Sequence, residues 1–107
     1  MSIRTVLAGL NVPVRRPDYK GNADQYVTYH LLGEVGTIYA EGKAAETGTR
    51  FSVDIWSKTD YVDLLTSVRT TLQNANYTVV VLAEYFDSGT GYYHVVLEAC
   101  CVGAQYG

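Results

Sequence analysis

Residues 50–75, RFSVDIWSKTDYVDLLTSVRTTLQNA, decide the fold, because the apolar period changes within them from two to nearly four. In residues 50–57 Phe51, Val53 and Ile55 alternate with Arg50, Ser52 and Asp54, the pattern of a strand with one face packed and one polar. Trp56 falls on the polar side, so it either covers the outer face of a sheet or awaits a partner. In residues 60–75 Tyr61, Leu64, Leu65, Val68 and Leu72 instead form the stripe of an amphipathic helix. Thr59 or Asp60 can receive its first free amides, Asp60 and Asp63 suit the positive end of its dipole, and Asn74 and Asn76 suit a left-handed exit.

Working outward, Ile3, Val6, Leu7 and Leu10 predict a short N-terminal helix over residues 2–10, which Asn11 ends and Pro13 cannot continue. An extended piece over 12–16 precedes a turn-rich loop at 17–22. Residues 25–32 and 37–40 read as two strands of a hairpin or meander separated by Gly33-Glu34-Val35-Gly36, and residues 41–48 as a polar loop. Residues 77–86 and 92–102 predict an antiparallel hairpin across Asp87-Ser88-Gly89-Thr90-Gly91. The expected class is α+β: a mainly antiparallel or mixed sheet with two helices on one face, in a single domain over 1–107.

The 107 residues leave room for one compact domain. With 48% hydrophobic and 18% charged residues the chain has material for a core. So small a domain buries a limited share of its surface, which makes self-association an attractive source of stability. Eight basic residues against eleven acidic give a net charge of −3, the wrong sign for gripping phosphate backbones. The first twenty residues run the other way, with Arg4, Arg15, Arg16 and Lys20 against Asp18 alone, so a basic segment leads into an acidic remainder.

Catalytic and cofactor motifs are sparse. His30 and His94 lie in predicted strands without a carboxylate or thiol at motif spacing, so they read as strand residues before they read as general bases; Asp54 and Glu98 are the acids that a sheet would bring nearest. The chain has no G-x-S-x-G elbow, Walker A loop or dinucleotide fingerprint. The vicinal Cys100 and Cys101 point to opposite faces of a strand, read as reduced and buried, and are too few to hold zinc. No catalytic residue, metal site or cofactor is expected. No apolar run matches a membrane span, and MSIRTVLAGL lacks the features of a secretory signal, so the expected setting is the cytosol or a particle assembled there. Ten tyrosines in a chain this short suit large, stiff contact surfaces, although tyrosine also favours strands on its own account.

Three stretches carry a family likeness. Residues 16–29, RPDYKGNADQYVTY, resemble the lead-in to the first long strand of the small tail-completion, or tail terminator, proteins of long-tailed phages and prophages. Residues 53–61, VDIWSKTDY, resemble that family's strand-to-helix junction, and Tyr85-Phe86-Asp87 with Gly91-Tyr92-Tyr93-His94 its closing hairpin. The likeness spans about residues 12–98; it departs at Asn74-Ala75-Asn76, where a glycine often ends the helix, and at Cys100-Cys101 and the small tail after them.

The resemblance implies a non-enzymatic virion structural protein at the tail–head junction. The same resemblance implies that it forms a hexameric ring on the tail tube, stops tube polymerisation and docks the head. The implied partners are copies of itself, the tail tube protein and a head connector or stopper, with DNA passing through the ring without specific binding and no membrane involved. A ring needs two complementary patches on each subunit, which the basic lead-in and acidic remainder can supply. An acidic lumen, with Glu34, Glu41, Glu46 and Asp87 facing it, would let DNA slide; a lumen of Arg15, Arg16 and Lys43 would not. Arg15, Arg16, Asp18, Tyr19 and Trp56 are the candidate subunit or partner contacts. The rival readings are a head-completion adaptor or stopper of the neck, a monomeric binding module with one apolar groove, and a small enzyme built on His30 or His94.

Overall fold

The computed structural model describes residues 2–19, 21–40 and 43–102, with side chains described for 2–19, 21–34 and 48–101. The elements are α1 (Ile3–Leu7), β1 (Val14–Arg15), β2 (Gln25–Ala40), β3 (Lys43–Ser57), α2 (Val62–Asn74), β4 (Thr78–Asp87) and β5 (Tyr92–Val102). They build a five-stranded sheet in the order β1-β2-β3-β5-β4, with β1 parallel to β2 and every other neighbour antiparallel. This is the expected α+β class with a mixed sheet.

The alternation read in residues 50–57 assigns the faces. Phe51, Val53 and Ile55 are buried with Val27 and Tyr29 of β2, Val95, Leu97 and Ala99 of β5, and Ile3, Val6, Leu7, Leu64, Val68 and Leu72 of the helices. Both helices therefore cover one face, as the period of α2 requires. Val62–Asn74 is shorter than the predicted 60–75. Its N-cap is Tyr61 without a side-chain cap, but Asp60 still accepts the Val62 amide at 2.9 Å and Asp63 lies in the first turn. At its exit Asn76 takes φ 69°, while the Tyr77 and Asn76 amides bond back to the Leu72 and Gln73 carbonyls, a Schellman ending with an asparagine in the left-handed position. The N-terminal helix spans only Ile3–Leu7, with Ser2 accepting the Thr5 amide.

Two expectations are corrected. Residues 25–40 form one strand, not two, because Gly33 serves as an irregularity within it: the register shifts between Leu31 and Gly33, and the Gly33 φ of 145° is one that a side chain rarely adopts. Residues 43–48, expected in a loop, belong to β3, which pairs with β2 well past the end of its contact with β5 at Gly48. Glu41 and Gly42, the remainder of that expected loop, lie outside the described residues. At the closing hairpin Asp87 organises the turn, accepting the Gly89 amide and the Thr90 hydroxyl on its carboxylate and the Gly91 amide on its carbonyl.

Candidate interaction surface

The face turned away from the helices carries an aromatic row that runs across four strands. The register sets Tyr26 of β2 opposite Trp56 of β3, Trp56 opposite His94 of β5, and His94 opposite Tyr85 of β4. Trp56 is stacked between its neighbours, 3.8 Å from the His94 ring at 11° and 5.8 Å from the Tyr26 ring at 9°. Its indole N–H donates to Thr28 Oγ1 at 3.0 Å, satisfying the one polar atom of the side chain. Tyr19 and Tyr92 meet Tyr26 edge-on, at 5.0 and 5.4 Å between centroids. The Tyr92 hydroxyl donates to the Ala23 carbonyl at 2.6 Å, and Lys58 Nζ lies 5.1 Å from the Tyr92 ring centre. Burial first, and then the Tyr92 and Tyr19 phenols, push the Tyr26 hydroxyl above its ordinary pKa.

Beside the row lies a polar network. Ser52 donates to Asp54 Oδ1 at 2.5 Å, and His94 Nε2 meets Asp54 Oδ2 at 2.5 Å. Arg50 pairs with Glu98 across β3 and β5. Of the two acids expected nearest the histidines, Asp54 thus reaches His94, whereas Glu98 is taken by Arg50 and His30 lies half-buried opposite Ser52. In this order the carboxylate stands between hydroxyl and imidazole, so the Ser52 hydroxyl donates to Asp54 and not to His94. Among the described residues no group of three or more His, Cys, Asp or Glu side chains is placed to hold a metal ion. Cys100 and Cys101 are free but half-buried, not buried as expected, because β5 gives one to each face near the end of the sheet.

The five residues predicted as contacts divide. Arg15 and Tyr19 belong to the aromatic surface: the Arg15 guanidinium lies 5.8 Å from the Tyr19 ring centre, and Tyr19 continues through Tyr26 to Trp56. Arg16 goes elsewhere, 5.3 Å from the ring centre of Tyr29, which belongs to the core. Asp18 is exposed in the turn closed by the Tyr19 amide and the Arg16 carbonyl. Trp56 is half-buried and held by its own sheet. Arg4 and Arg15 share a shallow cleft of about 180 Å³ with Ala8, Val12 and Val14, which makes the β1 margin basic. Of the acids expected around a lumen, Asp87 sits at the hairpin end of β4 and Glu34 on β2; Glu41 and the side chains of Glu46 and Lys43 lie outside the described residues.

Among the described residues the largest run of exposed apolar side chains is at the opposite margin of the sheet. Leu82, Tyr85 and Phe86 of β4 are 54, 59 and 56% exposed, with Val80 and Val81 also open. Phe86 contacts Tyr93 at 4.8 Å between ring centroids, Tyr93 lies 6.0 Å from Tyr61, and Tyr61 donates to Glu84. Monomeric proteins rarely leave so apolar an edge strand uncovered. Sequence reasoning assigned this run to the closing hairpin but not to an edge, because nothing local in VVVLA distinguishes an edge strand from a central one. It also missed Tyr26, His94 and Tyr85 as companions of Trp56: strand parity set Tyr26 and His94 on the polar side, but Tyr85 shares the parity of Tyr77, Val79 and Val81 and reaches the open face only through the irregularity between Val81 and Ala83.

Fold and surface together define a small α+β domain with a self-packed aromatic face, a basic margin at β1 and an apolar margin at β4. No family model matches the chain, and no curated protein matches it. No helix among the described residues is long and apolar enough to cross a membrane.

Proposed function

We propose that this chain is a virion structural protein of a long-tailed phage or prophage, located at the tail–head junction, where it caps the tail tube, stops its polymerisation and forms the ring to which the head docks. The observation that carries the reading is the position of the three resembling stretches. Residues 16–29 lead into β2, residues 53–61 join β3 to α2, and Tyr85-Phe86-Asp87 with Gly91-Tyr92-Tyr93-His94 forms the end of the β4–β5 hairpin. That each stretch falls at a strand lead-in, a strand-to-helix junction or a hairpin end supports the reading.

The surfaces favour the same role. A ring requires two different patches on every subunit, and the sheet has a basic margin at one side and an apolar, acidic one at the other. A net charge of −3 per copy suits a ring that DNA traverses without being held. Partners are then further copies of the chain, the tail tube protein and a head connector or stopper.

The test is to remove the gene from the phage or prophage that carries it and image the tails. Tubes of uncontrolled length that fail to join heads, restored by supplying the chain, are the expected result. Normal, head-joined tails in its absence would overturn the reading, and tails of normal length without heads would move the protein to the neck.

A further inference from the structure

Deepening the ring reading, and resting on it, we propose that neighbouring copies of this chain join edge to edge. The partner of β4 in one copy is the outer margin of β1 and β2 in the next, so that one sheet runs on from subunit to subunit.

Three observations converge on a second copy as the occupant. The first is direction. Among the described residues β1 and β4 end the sheet, and β1 covers β2 only at Val27 and Thr28, leaving the outer side of His30–Gly33 without a strand. Following the pairings across the sheet, β4 runs antiparallel to both β1 and β2. A copy displaced sideways therefore brings its β4 antiparallel to that margin while keeping its helices on the same side, and successive small rotations about one axis close the array.

The second is height along the strands. The register sets Thr28, and with it Arg15, level with Asp54, Val96 and Ala83, next to Glu84. It sets His30 level with Ser52, Glu98 and Val80, and Leu31 level with Phe51, Ala99 and Val79. Sideways addition thus places Arg15 beside Ala83, one residue from Glu84, His30 beside Val80, and the exposed Leu31 beside Val79. The apolar stretch of β4 and the exposed leucines of β2 thus lie at one height, and the basic residue of one margin lies within one position of an acid on the other.

The third is charge. β4 carries Glu84 and Asp87 and no basic residue, whereas Arg15 and Arg16 are exposed at the other margin. Pairing of β4 with a second β4 would gather the acids of both copies with no base between them, so the head-to-tail arrangement is favoured over a symmetric dimer.

Full-length chain with Cys100→Ser and Cys101→Ala is prepared with His30→Cys alone, Val80→Cys alone, and both together, since these two positions share a height and a face, and treated with a short bis-maleimide in solution and on purified tails. The double variant is expected to give a ladder of crosslinked copies, the two single variants mixed to give dimers, and Val80→Cys alone to give none. Adding Leu82→Lys to the double variant is expected to abolish the ladder while the far-ultraviolet spectrum stays native. Crosslinking of Val80→Cys alone, or no ladder in solution and none on tails that carry the protein, would overturn the edge-to-edge contact. A ladder in solution from a chain absent from tails would sink the tail reading and keep this contact. Density at the tube end without a ladder would do the reverse.

Discussion

Trp56 lies 3.8 Å from His94, ring centre to ring centre and nearly parallel, and this stack holds β3 to β5 on the side of the sheet that the helices leave open. Trp56 also contacts Tyr26 and donates to Thr28, so removing it opens a gap between three strands. Trp56→Ala is expected to cost about 2 to 3 kcal/mol, toward the low end for a large aromatic because the side chain is only half-buried. Trp56→Phe keeps the stacking and loses the indole bond, for roughly 1 kcal/mol. Urea unfolding of both variants checks the order; equal losses would mean that the hydrogen bond, not the ring, matters.

Asp54 draws Ser52 and His94 together in a setting where its own residue is only 8% exposed. A carboxylate so enclosed depends on its partners, and the partners on it. A double-mutant cycle of Asp54→Ala and His94→Ala is expected to give a coupling of roughly 1 to 2 kcal/mol. Additive losses would show that the 2.5 Å contact contributes no specific stability.

How much of this was legible in the sequence depended on whether a feature is local. The helix over 62–74 and the closing hairpin follow from periods and turn residues that neighbour one another in the chain, so they were readable. The continuity of β2 was not, since Gly33 in a sequence signals a break, and only its pairing with Arg50 makes it an irregularity inside a strand. Trp56 could be assigned to the polar face, but its neighbours Tyr26 and His94 come from strands whose register no local pattern specifies. The exposed margin at β4 is a property of strand order: the same residues in a central strand would be core.

Tyr77 combines a tightly packed ring, 6.5 Å from Phe51 between centroids, with a buried hydroxyl that has no hydrogen-bond partner among the described residues. A stranded hydroxyl costs about 1 to 3 kcal/mol, and phenylalanine has the same shape without it. Tyr77→Phe is therefore expected to stabilise the protein by about 1 kcal/mol, seen as a rise of roughly 4 to 8 °C in Tm. A fall in Tm would show that the hydroxyl is satisfied in solution.

Alkaline pH should weaken the fold through two phenols. Burial raises the Tyr26 and Tyr77 pKa values above the ordinary 10.0, Tyr26 further through Tyr92 and Tyr19, and Tyr77 further through Cys101. The folded state therefore holds these protons more tightly than the unfolded state does. Their contribution is fully present below about pH 10 and is lost as pH rises through the folded-state values, where the unfolded chain has already released its protons. Urea midpoints between pH 9 and 11 should fall, and absorbance near 295 nm should show a late fraction of tyrosine ionisation that Tyr26→Phe and Tyr77→Phe diminish. Simultaneous ionisation of all ten tyrosines in the native protein would contradict this account.

Asn76 tests the link between local conformation and the position of β4. Its φ of 69° lets the Tyr77 and Asn76 amides close the end of α2 onto Leu72 and Gln73, and Tyr77 then turns the chain directly into β4 at Thr78. An asparagine tolerates the left-handed region better than alanine, and glycine occupies it without a steric penalty. Asn76→Ala is expected to lose about 1 kcal/mol and Asn76→Gly to gain a few tenths, measured as shifts of the urea midpoint at constant m-value. Since the same turn sets where β4 begins, hydrogen exchange of the Val79–Val81 amides should quicken in Asn76→Ala. Unchanged protection there, alongside the lost stability, would separate the helix ending from the strand that follows it.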